Sequence, residues 1–314
     1  MGRNKDNTTG NGRLKEGTSL NKGQLFNFAD NSYLERTSRP VYAVAFLLPF
    51  IAFYELGTFR INTNILNQSQ IRVVAFVWMQ NALESLGFGG KFAWAAPPLA
   101  VIVILLSLQI ASRKQWQIWL GDFVPMLIEC ILLAVPLIVL ALLLNSSEIH
   151  RAPGQNTAAF DSKINSLPYC ATSYNNDMDS SEQYQNGIDN SHSLLANIVT
   201  GIGAGIYEEL IFRLFLICVL MMLFQDVFKL GHDSSIILSV LISAALFSAH
   251  HHIDILGGHL NIVDPFDITK FAFRTIAGIY FAFLFAIRGF GITAGTHAFY
   301  NIIAVSLTAF LYHK

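Results

Sequence analysis

Ionisable side chains interrupt three apolar stretches in the C-terminal half of this sequence. The first stretch, GIYEELIFR at residues 205–213, places Glu208, Glu209 and Arg213 among apolar neighbours. On a helix, Glu209 and Arg213 are four residues apart and share a face, whereas Glu208 is rotated by about 100° from Glu209. The simplest arrangement pairs Arg213 with Glu209 and leaves the Glu208 carboxylate available as a base.

Two further stretches repeat this four-residue spacing. In LFSAHHHID the spacing joins Phe247 and His251, and in THAFYN it joins His297 and Asn301. A carboxylate and an imidazole that share a water can remove its proton. A second imidazole with a carboxamide can donate hydrogen bonds to a carbonyl oxygen as that oxygen gains charge. If the three segments converge on Glu208, the sequence predicts amide hydrolysis in a buried cavity.

Each of these features also has a purely structural interpretation. A lone Glu–Arg pair in a membrane helix is more often structural, because burying either charge alone is costly. A histidine at the end of a span is often an interfacial anchor, and this interpretation suits His250, His252 and His259 better than His251. An asparagine within a span usually joins neighbouring helices. Three polar pairs with one spacing in consecutive helices weaken these interpretations when they are taken together.

The composition defines the environment of these groups. Of the 314 residues, 53% are hydrophobic and only 13% are charged, and the mean hydropathy is +0.46. Soluble domains carry about 25% charged residues, so these values are typical of an integral membrane protein. The net charge of −1 and the lack of a basic stripe with interleaved aromatic residues argue against nucleic acid as a partner. The three cysteines are too scattered for a disulfide framework or a CxxC metal site.

Apolar segments long enough to cross a bilayer, which takes roughly 17–25 residues, recur along the chain. We therefore predict an all-α, polytopic integral membrane protein with seven or eight transmembrane helices. The clear segments are 41–57, 92–112, 123–145, 194–225, 235–252, 269–287 and 291–311. A weaker segment, 72–89, contains charged and amide side chains and is interfacial if it does not cross.

The segments divide the chain into four parts. Residues 1–40 are polar and hold no apolar core near Met1, so we expect no secretory signal and a disordered tail that its Lys and Arg residues keep in the cytoplasm. Residues 41–145 form N-terminal transmembrane helices, residues 146–193 a polar extramembrane insertion, and residues 194–314 the catalytic helical core. We expect a multi-pass protein of the cell (inner) membrane. Its partners are the lipid bilayer and a peptide or membrane-protein substrate.

The ordered motifs resemble those of a known family. The matches are EExxxR in EELIFR, FxxxH from Phe247 to His251, the Arg274 and Gly278 of RTIAG, and HxxxN from His297 to Asn301. Over about residues 194–311 the chain is similar to the CPBP family, which comprises the type II CAAX prenyl endopeptidases and the bacteriocin-processing (Abi) intramembrane proteases.

The resemblance implies an all-helical intramembrane endopeptidase. In it, Glu208 and His251 activate water, and His297 with Asn301 forms the oxyanion hole. The supporting residues are Glu209, Arg213 and Phe247.

Two alternatives stay open at this point. The family's catalytic type has been read as glutamate-dependent and as metal-dependent. The chain lacks HExxH and its Glu and His residues lack tight zinc spacing on one helix, so we predict a glutamate mechanism without a metal cofactor. Zinc is the alternative, because His250, His251, His252 and His259 offer imidazoles. The alternative function is that of a transporter or an immunity-type binding protein, in which the charged groups form an ion pathway.

One geometric difficulty accompanies the predicted spans. If 235–252 and 291–311 start on the same side of the membrane, helix geometry leaves a gap of about 15 Å between His251 and His297. Tilted, short or broken helices must close this gap.

Overall fold

The structure is a computed structural model that describes residues 28–29, 31–64, 72–90, 93–149, 173–174, 190–254, 261–262 and 266–312. Helices dominate these residues. In chain order they are α1 (Tyr33–Thr37), α2 (Pro40–Asn64), α3 (Val74–Ser85), α4 (Ala96–Ser112), α5 (Phe123–Ile149), α6 (Asn190–Glu209), α7 (Ile217–Met222), α8 (His232–Ala249) and α9 (Ile268–Tyr312). Two π-helical segments, Leu210–Leu216 and Leu223–Val227, flank α7, and short 3₁₀ turns at Ala93–Ala95 and Leu120–Asp122 precede α4 and α5.

Two short antiparallel ladders lie outside the helices. Strand β1 (Arg72–Val73) pairs with β2 (Ser173–Tyr174), and β3 (Ile253–Asp254) pairs with β4 (Asn261–Ile262). The first ladder joins the polar insertion to the segment before α3. The all-α class predicted from the sequence is confirmed.

Six helical segments of the described chain are long and apolar enough to cross a membrane. They are Pro40–Ile61, Ala93–Ser112, Leu120–Leu144, Leu194–Val227, His232–Ala249 and Ile268–Phe310. In the weak segment 72–89, helix α3 has 12 residues and is too short to span a bilayer. The polytopic membrane class is confirmed, whereas the count of seven or eight spans stays a prediction.

Helix α9 is not one straight rod. Gly289 has φ 74° and ψ −179°, a conformation essentially restricted to glycine. The rings of Phe281 and His297 stack with centroids 4.5 Å apart, whereas a straight helix would separate these residues by about 24 Å. The chain therefore folds back at Gly289 into a hairpin of 268–288 and 290–312.

The prediction of a disordered tail over residues 1–40 is wrong at its end. Ser32 caps α1 by accepting the Glu35 backbone N–H, and Arg36 forms an ion pair with Asp122 at 2.9 Å. Because this ion pair joins α1 to the start of α5, the charged segment is ordered against the bundle.

Helix α6 lies between α2 and the second half of α9, and its glycines set the distances. A Cβ on Gly203 would come within 2.3 Å of the Tyr54 ring, and one on Gly205 within 2.6 Å of the Ala298 backbone nitrogen. The GIGAG run therefore permits close helix packing, as small residues do in membrane bundles. This packing brings the end of α6 against the turn of α9 that carries His297.

Candidate active site

The two glutamates end α6 in the interior of the bundle, and both are fully buried. Arg213 Nε lies 3.1 Å from Glu209 Oε2, which is the pairing that the four-residue spacing indicates. The residues between them belong to the π-helical segment Leu210–Leu216. Single π-helical turns within helices are frequent at functional sites.

The Arg213 guanidinium is enclosed by aromatic rings. Its Cζ lies 4.1 Å from the ring centre of Phe247 and 5.4 Å from that of Phe281. Its Nη2 also donates to the carbonyl oxygen of Gly278 at 3.4 Å. The cation is thus held by a carboxylate and by ring faces that attract positive charge.

Glu208 faces a different set of groups. Its Oε1 lies 3.6 Å from His250 Nε2, and its Oε2 lies 4.0 Å from His297 Nε2. One ligand atom from each of Glu208, His250 and His251 lies within 4.8 Å of the others. The carboxylate that the sequence left unpaired therefore stands beside three imidazoles.

The tautomers of the two adjacent histidines follow from their partners. His250 Nδ1 and His251 Nδ1 lie 2.5 Å and 2.8 Å from the carbonyl oxygen of Phe247. A carbonyl only accepts hydrogen bonds, so both Nδ1 atoms carry the proton and each neutral ring keeps its lone pair on Nε2. Within the described residues, these Nε2 atoms and both Glu208 oxygens have no hydrogen-bond partner. A group of buried acceptors of this kind is suited to hold a proton, a water or a cation.

The interpretation of His250 as an interfacial anchor is wrong. His250 is 2% exposed and approaches Glu208. Helix α8 ends at Ala249. The rings of His250 and His251 both point back to the Phe247 carbonyl oxygen. The four-residue spacing favoured His251. The sequence feature that could have pointed to His250 is its position directly before His251.

The remaining histidines of this region have other positions. His252 is also buried, and its ring lies 5.4 Å from Phe266 and 6.2 Å from Phe271. His259 lies outside the described residues.

His297 joins the two glutamates. Its Nδ1 lies 2.7 Å from Glu209 Oε1, so Nδ1 is protonated when Glu209 is ionised, and Nε2 points towards Glu208. Phe281 stacks on the His297 ring with an interplanar angle of 17°. Phe281 was not among the predicted site residues, because its partner lies on the other half of the hairpin.

Asn301 lies one turn after His297 on the same helix. Its Nδ2 donates to the carbonyl oxygen of Gly201 at 3.2 Å, so the carboxamide joins 290–312 to α6. This contact corresponds to the structural interpretation of an asparagine in a span. The oxyanion role of Asn301 stays a prediction.

The gap expected between His251 and His297 is absent. The Phe247 ring lies next to both, with its centre 5.2 Å from the His251 ring and 5.9 Å from the His297 ring. The chain leaves the helix after Ala249 and turns back, so His251 does not continue outward as the predicted span 235–252 required.

The fold and the site define a polytopic helical membrane protein with a buried carboxylate–imidazole centre. Residues 190–303 match the family model described as Type II CAAX prenyl endopeptidase Rce1-like. Over these residues the chain is similar to that family, which supports an intramembrane CAAX-type protease and confirms the resemblance found in the sequence. No curated protein and no solved structure matches the chain.

Proposed function

We propose that this protease hydrolyses a peptide bond of a peptide or membrane-associated protein by means of water activated by Glu208 and His251. The observation that carries the proposal is the buried Glu208 carboxylate, which lies in one cluster with ring nitrogens of His250 and His251. The family match supports the reaction class.

The proton transfers follow from the tautomers. The His251 Nδ1–H bond to Phe247 leaves Nε2 as a base. A water between Glu208 and His251 loses its proton to this pair while its oxygen attacks the substrate carbonyl carbon. The C–N bond then breaks, and the pair returns the proton to the leaving amine. General acid–base catalysis of this kind contributes about 10²–10⁴-fold.

His297 and Asn301 complete the proposal as donors to the developing oxyanion. The Nδ1–H of His297 donates to Glu209. His297 can therefore donate a second hydrogen bond from Nε2 only as an imidazolium. The Glu209 carboxylate contacts that ring through Oε1 and pairs with Arg213 through Oε2. Phe247 supports the site through its carbonyl, which orients both neighbouring histidines.

The experiment compares Glu208→Gln with the wild type in proteoliposomes. The probe is a farnesylated peptide that ends in a CAAX sequence, the C-terminal prenylation motif. We expect the variant to lose about 10²–10⁴-fold in kcat with an unchanged Tm, because glutamine keeps the shape and removes the base. Glu84→Gln, on the exposed side of α3, is the control. Equal turnover by the wild type and Glu208→Gln would contradict the proposal.

The same cluster also supports a metal-dependent form of the reaction. One carboxylate and two imidazoles, from Glu208, His250 and His251, lie within 4.8 Å of one another. Catalytic zinc sites of proteases use this donor set, and zinc ligands typically donate their other ring N–H to an outer group, as both histidines do to Phe247. The residues therefore fit a divalent ion, which would polarise the carbonyl and acidify a bound water.

Metal analysis of the purified protein separates the two forms. In the metal-dependent form, the wild type and the control His252→Ala contain stoichiometric zinc, whereas His250→Ala contains none. Removal of the zinc by a chelator then abolishes cleavage by the wild type. In the metal-free form, no stoichiometric metal is found and His250→Ala still cleaves the farnesylated peptide.

A further inference from the structure

The π-helical segment Leu210–Leu216 directly follows the two site glutamates and carries Arg213. In a π-helix each backbone N–H bonds to the carbonyl five residues earlier instead of four. The backbone ladder is therefore displaced where this segment joins α6. Within a membrane, the carbonyl groups that such a displacement frees need donors from neighbouring parts of the protein.

Ser243 of α8 supplies such a donor. Its hydroxyl donates to the Phe212 carbonyl oxygen at 2.6 Å, and Ser243 is fully enclosed by the bundle. One turn later on the same face of α8, the ring of Phe247 lies 4.1 Å from Arg213 Cζ. Two consecutive turns of α8 therefore hold two consecutive residues of the π-helical segment.

The carbonyl that Ser243 holds lies between two parts of the candidate active site. The Phe212 ring lies 4.8 Å from the His250 ring, and the next residue, Arg213, pairs with Glu209 at 3.1 Å. A π-helical turn contains more residues than an α-helical turn, so a return of the segment to α-helix would rotate Arg213 relative to Glu209. The same change would shift the Phe212 ring from its place against His250.

We propose that Ser243 is a positioning residue of the active site. Its hydrogen bond keeps the π-helical segment in the register in which Arg213 reaches Glu209. The same bond keeps the Phe212 ring against His250. The inference rests on the proposed proteolytic function, because Ser243 affects turnover only through these groups.

Turnover of the farnesylated peptide in proteoliposomes tests the proposal. We expect Ser243→Ala to lower kcat about 3- to 10-fold at an unchanged KM, the rate equivalent of one lost hydrogen bond. Ser243→Thr keeps the hydroxyl donor and should retain the wild-type kcat. Ser239→Ala is the matched control, because Ser239 lies one turn earlier on α8, is fully buried and has no hydrogen-bond partner within the described residues. A kcat of Ser243→Ala equal to that of the control, or a raised KM at an unchanged kcat, overturns the proposal.

Thermal unfolding tests the same coupling without catalysis. In the wild type, Ser243→Ala should lower the Tm both by the lost hydrogen bond and by weakening the pair of Arg213 with Glu209. In a Glu209→Gln background that ion pair is already absent, so Ser243→Ala should lower the Tm less. Ser248→Ala is the control, because its hydroxyl donates at 2.8 Å to the Phe271 carbonyl oxygen, which lies on α9. Its loss of Tm should be the same in both backgrounds.

The two experiments separate the positioning role from the reaction itself. Equal Tm losses for Ser243→Ala in the two backgrounds overturn the positioning role, whatever the activity. If the smaller loss is found but the wild type does not cleave the peptide, the proposed reaction fails and the support of Arg213 by Ser243 stands.

Discussion

Glu208 and Glu209 are adjacent and chemically identical, yet they have opposite surroundings. Glu209 is held by Arg213 and by the Nδ1 proton of His297. Glu208 faces the Nε2 atoms of His250 and His297. The rotation of about 100° between consecutive helical residues is sufficient to separate the two environments. Glu209 balances buried positive charge, and the proposed mechanism assigns the proton transfer to Glu208.

Removal of the Glu209 carboxylate should damage the fold itself. Glu209→Ala leaves the buried Arg213 without its carboxylate and His297 without its Nδ1 acceptor, and breaking a buried pair in this way typically costs about 3–5 kcal/mol. Unfolding of the detergent-solubilised protein measures the loss. Glu84→Ala, at an exposed site, should change stability little. A loss in Glu209→Ala no larger than that of the control would show that Arg213 and His297 do not depend on Glu209.

At the scale of elements, the contact between α6 and the second half of α9 sets the site geometry. Gly205 lies against the Ala294 carbonyl oxygen and the Ala298 backbone nitrogen, which would be 2.8 Å and 2.6 Å from an added Cβ. Backbone atoms of a packed helix cannot move aside as a flexible side chain does. Even one methyl group must therefore push α6 away from the helix that carries His297.

Gly205→Ala should reduce stability and activity together. Overpacking of this kind costs about 1–3 kcal/mol, and the shift should lengthen the contact of His297 with Glu209. Thermal unfolding and cleavage of the farnesylated peptide measure the two effects. Gly121→Ala is the matched control, because an added Cβ there meets nothing within 4 Å. A Gly205→Ala protein with the stability and turnover of the control would contradict this role of the glycine.

At the scale of the whole molecule, Arg288 links parts of the chain that are far apart in sequence. It lies directly before the Gly289 turn, where its guanidinium reaches both carboxylate oxygens of Glu129 on α5. It also donates to the Leu34 carbonyl oxygen and to the hydroxyls of Thr37 and Ser38. The N-terminal helix, α5 and the α9 hairpin therefore share one side chain.

Tyr33 belongs to the same network. Its hydroxyl donates to Glu129 Oε2 at 2.8 Å. Burial is the larger cause and this hydrogen bond the next of a pKa of Tyr33 well above its usual range. The phenol therefore stays protonated and keeps donating at physiological pH.

Arg288→Gln should loosen this end of the bundle without touching the candidate active site. We expect a stability loss of about 3–5 kcal/mol, the range for removing one partner of a buried ion pair. The folded fraction should keep the wild-type KM for the farnesylated peptide. Calorimetry and steady-state kinetics on the same preparation test both statements, with Arg60→Gln as the control. A changed KM with unchanged stability would place Arg288 in substrate binding instead.

The sequence by itself determined what depends on local geometry and composition. Apolar content identified the membrane class, and the motif order identified the family. The period of a helix predicted that Glu209 pairs with Arg213 and that Glu208 is left over. These inferences succeed because residues four apart on one helix are neighbours whatever the rest of the chain does.

Only the tertiary structure decided which groups from different helices meet. It brought His250 to Glu208, placed His297 on Glu209 and Phe281 on His297, and folded α9 back at Gly289. These contacts join segments separated by tens of residues, and they depend on helix packing, on where a helix ends and on one glycine's backbone angles. No periodicity in the sequence encodes those quantities, so the spacing of the motifs could name the chemistry but could not assign every partner.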